Sequence, residues 1–253
     1  MIPQFAGNPG MIAGWVRWLR AGGQLDEWAD NTHAEVLFAS QALLLQPTSQ
    51  VLNLGCGWGR HALALANAGL RVIGLERRSD LLALAQDTGQ KMSLPVRWVL
   101  GSLDDLILSE PVDAIVLFHE NPLSLTSGPA EALFVLEQYH SLMRERGRLL
   151  FGSSDWVADP PQHQQTRTQT FDGTETLCRQ FDSHNRTVNV HTYTQARDGT
   201  RQELAHRFWH PTMDQMGSLL SSAGFNVQGR FNSFTFLPFE AGLPGLIWLA
   251  QKR

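Results

Sequence analysis

The chain has 253 residues, of which 43% are hydrophobic and 17% charged, and a formal net charge of −4. That length and balance fit one large soluble globular domain, or one domain with an embellishment, and can bury an ample core. The acidic balance gives no electrostatic footing for tight nucleic-acid binding, so a nucleic-acid substrate is not expected. Two cysteines, Cys56 and Cys178, cannot build a disulfide framework and suit a reducing cytoplasm. The start of the chain lacks a basic, apolar leader, and no run approaches the ~20 apolar residues that span a bilayer. A cytoplasmic protein without a membrane partner is expected.

Helical spacing of Trp28, Val36, Leu37, Ala39, Leu43 and Leu44 predicts a helix from about Asp26 to Leu45. It would belong to an N-terminal helical cap over 1–46, in which Trp15 and Trp18 mark either a lid or a helix face on the core. Val51-Leu52-Asn53-Leu54 is a short buried-type strand, followed by Gly55-Cys56-Gly57-Trp58-Gly59. A helix from His61 to Ala68 stops at Gly69, and a second strand, Val72 to Leu75, ends in Glu76. Ser79 is the candidate N-cap of a helix reaching about Gly89. Further strands are predicted at Val96 to Leu100 and Asp113 to Phe118, a long helix at Ala130 to Arg144, and a fifth strand at Arg148 to Phe151. Strands alternating with helices imply parallel crossovers and a sheet covered on both faces.

The character changes at 155–210. Alternation at Leu177, Arg179 and Phe181, then Val188, Val190 and Thr192, with a turn at Asp198-Gly199, predicts an antiparallel hairpin or three-stranded insertion. Its free edges could pair between subunits into a homodimer. A helix from Met213 to Gly224 and strands near Val227 to Phe231 and Leu246 to Ala250 finish the chain.

The informative unit runs from Val51 to Glu76: strand, glycine-rich turn, helix, and a second strand ending in an acid 21 residues after Gly55. Glycines permit a tight turn and let a ligand approach the backbone. An acid at the end of the second strand is where an α/β nucleotide site grips ribose hydroxyls. The dinucleotide fingerprint G-x-G-x-x-G does not fit, because position 60 is Arg and the third glycine comes one residue early.

Val51-Leu52-Asn53-Leu54-Gly55-Cys56-Gly57-Trp58-Gly59 resembles the first motif of class I S-adenosylmethionine-dependent methyltransferases, V-L-D-L-G-C-G-x-G. The resemblance continues through Gly74-Leu75-Glu76, Gly101 to Leu106, Val112 to Val116, Gly147 to Leu150 and Ala223-Gly224-Phe225. It implies an α/β, Rossmann-like, seven-stranded and mostly parallel sheet with helices on both faces, plus an antiparallel β insertion after strand five. The implied cofactor is S-adenosylmethionine. Gly55, Cys56, Gly57 and Gly59 would approach its methionine and ribose, and Glu76 would accept from the ribose hydroxyls. Arg77, Ser102 and Leu103 would border the adenine, with Leu117 and Phe118 facing the sulfonium end. Asn53 and Ser102 stand where relatives usually carry acids; both can still hydrogen-bond, but each removes a negative charge.

Methyl transfer needs alignment of nucleophile and methyl carbon above all, and a base only for a protonated acceptor. His119 and Glu120, directly after the fourth strand, are the candidate catalytic residues; the bland alternatives are packing for His119 and a solvated carboxylate for Glu120. His33 reads as a helix-surface residue. His184, His191, His206 and His210 lack metal-site spacing, so no metal is expected. The insertion carries six arginines; alternating strands can place several of them, Arg179 and Arg207 among them, on one face that would suit an anionic substrate, the alternative being a solvated surface. The expected acceptor is a small molecule methylated on N, O or C. The rivals are an RNA-modifying methyltransferase and a non-catalytic cofactor-binding regulator; an NAD-linked oxidoreductase ranks below both.

Overall fold

A computed structural model describes residues 26–103, 106, 108–118, 123, 126–153, 160–170, 173–243 and 245–253. Trp15, Trp18, His119 and Glu120 lie outside the described residues. In the first half helices and strands alternate, except that β4 follows β3 with no helix between them among the described residues: α1 (Asp26–Ala42), β1 (Gln50–Leu54), α2 (Arg60–Asn67), β2 (Arg71–Glu76), α3 (Ser79–Lys91), β3 (Val96–Leu100), β4 (Val112–Phe118), α4 (Pro129–Leu142) and β5 (Met143–Ser153). Then come β6 (His163–Thr170), β7 (Gly173–Asp182), β8 (Thr187–Ala196), β9 (Arg201–Trp209), α5 (Met213–Ser222), β10 (Phe225–Phe231) and β11 (Leu246–Lys252).

The large sheet has the order β10-β11-β5-β4-β1-β2-β3. β1 to β5 pair in parallel, whereas β11 runs antiparallel to both β5 and β10. All five residues of β1 are buried, which is why it reads as an unbroken apolar run: helices cover both faces. Alternate side chains divide between two cores. Leu52, Ile115, Leu117 and Phe151 join residues of α4 and α5 on one face. Val51, Val116, Phe118 and Leu150 join α1 and α2 on the other. The chain winds outward from β1 through β2 to β3 and then crosses to β4 on the other side of β1, so the strand order's switch point lies between β1 and β4, at whose carboxyl ends ligands bind in open α/β sheets.

Four expectations are corrected. The N-cap of α3 is Arg78, not Ser79, and it makes no side-chain capping bond; instead Glu76 Oε1 accepts from the Arg78 amide at 2.9 Å. The long helix stops at Leu142, because Met143 already pairs with Val112; a register shift follows before the ladder resumes at Arg148 opposite Ala114. Lys252 Nζ donates to the carbonyls of His140 and Met143 and so closes that helix end.

The insertion is neither a hairpin nor three strands: β6 to β9 form their own four-stranded antiparallel sheet. Register then separates the two arginines. Arg179 pairs with Val190, which pairs with His206, so Arg207 points to the opposite face. One face of this sheet carries the small core of Leu177, Phe181, Val188 and Val190, with Phe208 against it. Its last strand is tied to the body where the Trp209 amide donates to the Thr126 carbonyl at 2.8 Å. Thr212 and Gln215 then form a reciprocal capping box that starts α5.

Candidate functional site

The glycine turn leaves β1 with Gly55, Gly57 and Gly59 all at positive φ, 61°, 58° and 89°. That region penalises any side chain, which explains the residue type at each. Their surroundings differ. A Cβ at Gly57 would meet nothing within 4 Å, whereas one at Gly59 would lie 2.8 Å from both Ala85 Cβ and Trp98 Cη2. Gly57 is therefore open toward a ligand, and Gly59 lets α2 approach α3 and the Trp98 indole.

Glu76 organises the turn. Its buried carboxylate accepts from the Gly57 amide through Oε2 and from the Arg78 amide through Oε1, each at 2.9 Å. It thereby joins the glycine turn to the start of α3, and each oxygen keeps a further lone pair for a hydroxyl donor. Cys56 is buried beside it; burial first, and the Glu76 charge second, push its thiol far above the ordinary range, so it is no nucleophile. Asn53 is 1% exposed, and its Nδ2 makes only long contacts to the carbonyls of Leu54 (3.4 Å) and Val116 (3.5 Å). Its Oδ1 is buried without a hydrogen-bond partner. Among the described residues this buried acceptor has no donor, and a donor-bearing group would complete it. The α2 N-terminus has no side-chain cap.

The remaining expected site residues distribute around this turn. Gly55 and Arg77 are exposed, while Ser102 and Leu103 are half-buried after β3. Leu117 packs into the core beneath α4 and α5. The ring of Phe118 turns to the other face, stacked on His61 at 3.8 Å with planes 8° apart. Phe234, from the segment between β10 and β11, lies 5.6 Å from Phe118 and 6.0 Å from Phe38.

The sequence reading passed over a buried polar cluster beside the turn. Glu35 Oε2 lies 2.8 Å from Arg60 Nη1 and 2.7 Å from His61 Nε2, and Arg60 also donates to Thr32 Oγ1 at 2.6 Å. Burial lowers the Arg60 pKa, opposed by the Glu35 charge. A signal was present: Thr32 and Glu35 share a helix face with Ala39 and Ala42, which are all buried, and Arg60-His61 directly follows the last glycine. His33 is exposed. Elsewhere, a cavity of about 510 Å³ opens on the polar face of the small sheet, lined by Arg167, Thr176, Tyr193, Gln195, Arg201 and Glu203 among others.

The strand order, the antiparallel β11 and the glycine turn gripped by an acid at the end of β2 together define the class I, Rossmann-like methyltransferase fold. Residues 51–147 match the family model described as a methyltransferase domain. A protein of Geobacillus sp. (strain WCH70) that carries a methyltransferase name is 26% identical over 106 residues; the match spans 42% of this chain and 42% of that relative's length. Among solved structures, an S-adenosylmethionine-dependent methyltransferase from Clostridium acetobutylicum ATCC 824 is similar with a TM-score of 0.74 at 14% identity, covering 96% of this chain and 98% of that one. The CcbJ methyltransferase of Streptomyces caelestis gives 0.73 at 17%, covering 88% and 89%. CalS10 of Micromonospora echinaspora, an amino pentose methyltransferase solved with S-adenosylmethionine bound, gives 0.63 at 15%, covering both chains completely (100% each). At these identities the structural likenesses speak to the fold. No helix among the described residues is long and apolar enough to cross a membrane.

Proposed function

We propose that this protein is an S-adenosylmethionine-dependent methyltransferase that modifies an N, O or C atom of a small molecule. The observation that carries the reading is the Glu76 carboxylate, which fastens the glycine turn at Gly57 and keeps lone pairs for ribose hydroxyls. Gly57 leaves the backbone open to the ligand, and Asn53 Oδ1 offers a buried acceptor to its ammonium. Arg77, Ser102 and Leu103 border the adenine, and Leu117 and Phe118 close the sulfonium end. When bound, the cofactor supplies an electrophilic methyl group on a good leaving group. The chain's own task is then to align the acceptor, with His119 or Glu120 removing a proton where the acceptor carries one.

The small-molecule acceptor is supported by the acidic chain and by the amino pentose substrate class in the name of one structural neighbour. In this reading residues 1–46 cap a single domain, and the insertion 155–210 covers the acceptor side. The protein works in the cytoplasm, and the unpaired edges of β6 and β9 are where two copies would meet.

Calorimetric titration with S-adenosylmethionine and S-adenosylhomocysteine tests the cofactor. Micromolar binding is expected, followed by methylation of members of a panel of small amines, alcohols and acidic C–H compounds. No binding of either ligand refutes the reading; binding without turnover on any acceptor replaces it with a regulatory role.

A further inference from the structure

We infer that Glu35 is a positioning residue for the glycine turn, coupling the N-terminal helix to ligand binding through Arg60 and His61. The inference rests on the reading of that turn as the cofactor site. Backbone bonds hold the turn only in part, from the Gly59 amide to the Cys56 carbonyl and from the Cys56 amide to the Leu75 carbonyl, each at 3.0 Å. Three of its five residues are glycines at positive φ, and the helix that follows begins without a side-chain cap. Its geometry is fixed from both ends by carboxylates. Glu76 holds Gly57 from β2; Glu35 holds Arg60 and His61, the first two residues of α2, from α1.

The second grip is little screened because it is dry. The side chains of Glu35, Arg60 and His61 are 8%, 11% and 8% exposed, so solvent and salt screen the group little. Glu35 Oε2 faces both the Arg60 guanidinium and His61 Nε2, and as a carboxylate it would accept from both. Charge-assisted bonds of this kind are shorter and stronger than neutral ones. The same imidazole lies flat on Phe118, the last residue of β4. One carboxylate on α1 thus sets both the entry to α2, where the backbone faces the ligand, and the ring at the strand end where the acceptor arrives. Removing it takes the carboxylate from two buried groups, of which Arg60 keeps its bond to Thr32 Oγ1, and the turn's amides shift with them.

A purely structural cluster would dock α1 and do nothing more, so the test separates affinity from stability. Glu35→Gln keeps shape and removes charge; His61→Phe keeps a ring over Phe118 and removes the Nε2 donor. Leu220→Ala, in the core on the far face, is a control for lost stability. Each is titrated with S-adenosylhomocysteine well below its melting temperature. Glu35→Gln is expected to weaken binding about tenfold and His61→Phe several-fold, while Leu220→Ala melts lower and binds as the wild type does. By reciprocity, S-adenosylhomocysteine should slow hydrogen exchange of the wild-type amides from Thr32 to Ala42. Variants that bind within twofold of wild type overturn the inference and leave the cofactor reading standing. Unchanged α1 exchange on saturation does the same, and decides the matter if Glu35→Gln does not fold. A wild-type protein that binds no S-adenosylhomocysteine defeats both.

Discussion

Glu76→Gln is the substitution whose consequences the geometry specifies most closely. The carboxylate is 9% exposed and accepts two backbone amides at 2.9 Å each. An amide side chain of the same shape keeps one acceptor oxygen and turns an NH2 group toward the other backbone N–H. One charge-assisted bond disappears, worth about 1.5–3 kcal/mol, and a buried donor is left unmet. A loss of about 3 kcal/mol in stability follows; at about 2–4 °C per kcal/mol for a chain of this size, the melting temperature should fall by roughly 6–12 °C. The ligand loses more than a scaffold. Ribose hydroxyls would now face a neutral group, and a further 1.5–3 kcal/mol of binding corresponds to about a 10- to 150-fold weaker S-adenosylhomocysteine complex. Scanning calorimetry and isothermal titration read the two effects separately. Glu76→Asp keeps the charge but cannot bridge both amides, and should fall between wild type and Glu76→Gln. A Glu76→Gln protein that melts with the wild type and binds within threefold of it would refute the reasoning, since the carboxylate would then hold neither turn nor ligand.

The two inner glycines should respond differently to the same change. Gly57→Ala pays only for its left-handed φ, about 1 kcal/mol, but places a methyl group on the ligand side and should weaken S-adenosylhomocysteine binding far more than it lowers the melting temperature. Gly59→Ala adds overlap with Ala85 and Trp98, and should cost about 3 kcal/mol of stability by denaturant titration; equal effects of the two on both readouts would contradict the division. Cys56 should resist an aromatic disulfide reagent in the native protein at pH 8, since burial and Glu76 keep its thiol protonated, and react only once urea unfolds the chain. Stability should also decline as the solution is acidified below neutrality. Burial, then Lys252, lowers the His140 pKa; burial, then Arg179, lowers that of His206. The folded state thus prefers neutral rings, and the unfolded chain takes up protons first as pH falls through about 6.5. That stability is complete above about pH 6.5 and is lost progressively below it. The urea midpoint should drop between pH 7.5 and 5.5, less steeply in His206→Asn, and an identical slope in that variant would exclude His206 as a contributor.

The alternating strands and helices of the first half were legible because the parallel sheet is covered on both faces, so β1 and β2 announce themselves as apolar runs bounded by glycine. β6 was not, because His163-Gln164-Gln165-Thr166-Arg167-Thr168-Gln169-Thr170 has no apolar alternation; it is a strand through its ladder with β7. The start of β5 escaped for a related reason. Glu145, Arg146 and Gly147 read as a helix end and turn, yet pairing of Met143 with Val112 begins the strand before them. Alternation within each strand does not bring Arg179 and Arg207 to one face, because the ladder between β7 and β8 joins residues of opposite parity while that between β8 and β9 joins like with like. Strand content is written locally, whereas register is set by turns and partners that a single strand does not contain.

The glycine motif itself shows how two causes can share one spelling. Gly57 meets open space, but Gly59, Gly74 and Gly89 all surround Trp98: added Cβ atoms would come within 2.8, 2.7 and 3.5 Å of its indole. The third glycine of the triplet therefore belongs with two glycines outside the motif, as the socket for an aromatic side chain from β3. This explains why it can stand one residue earlier than in the dinucleotide fingerprint. Its position is governed by where α2 crosses α3 and Trp98. The polar residues on the buried face of α1 follow the same logic from the other direction. Glu35 interrupts an apolar helix face, a costly choice unless a partner repays it, and the partners are the two residues that follow the last glycine. On the proposed reading the turn is thus specified by Gly57 and Glu76, which would face the ligand, and by Trp98, Arg60, His61 and Glu35, which confine the backbone behind it.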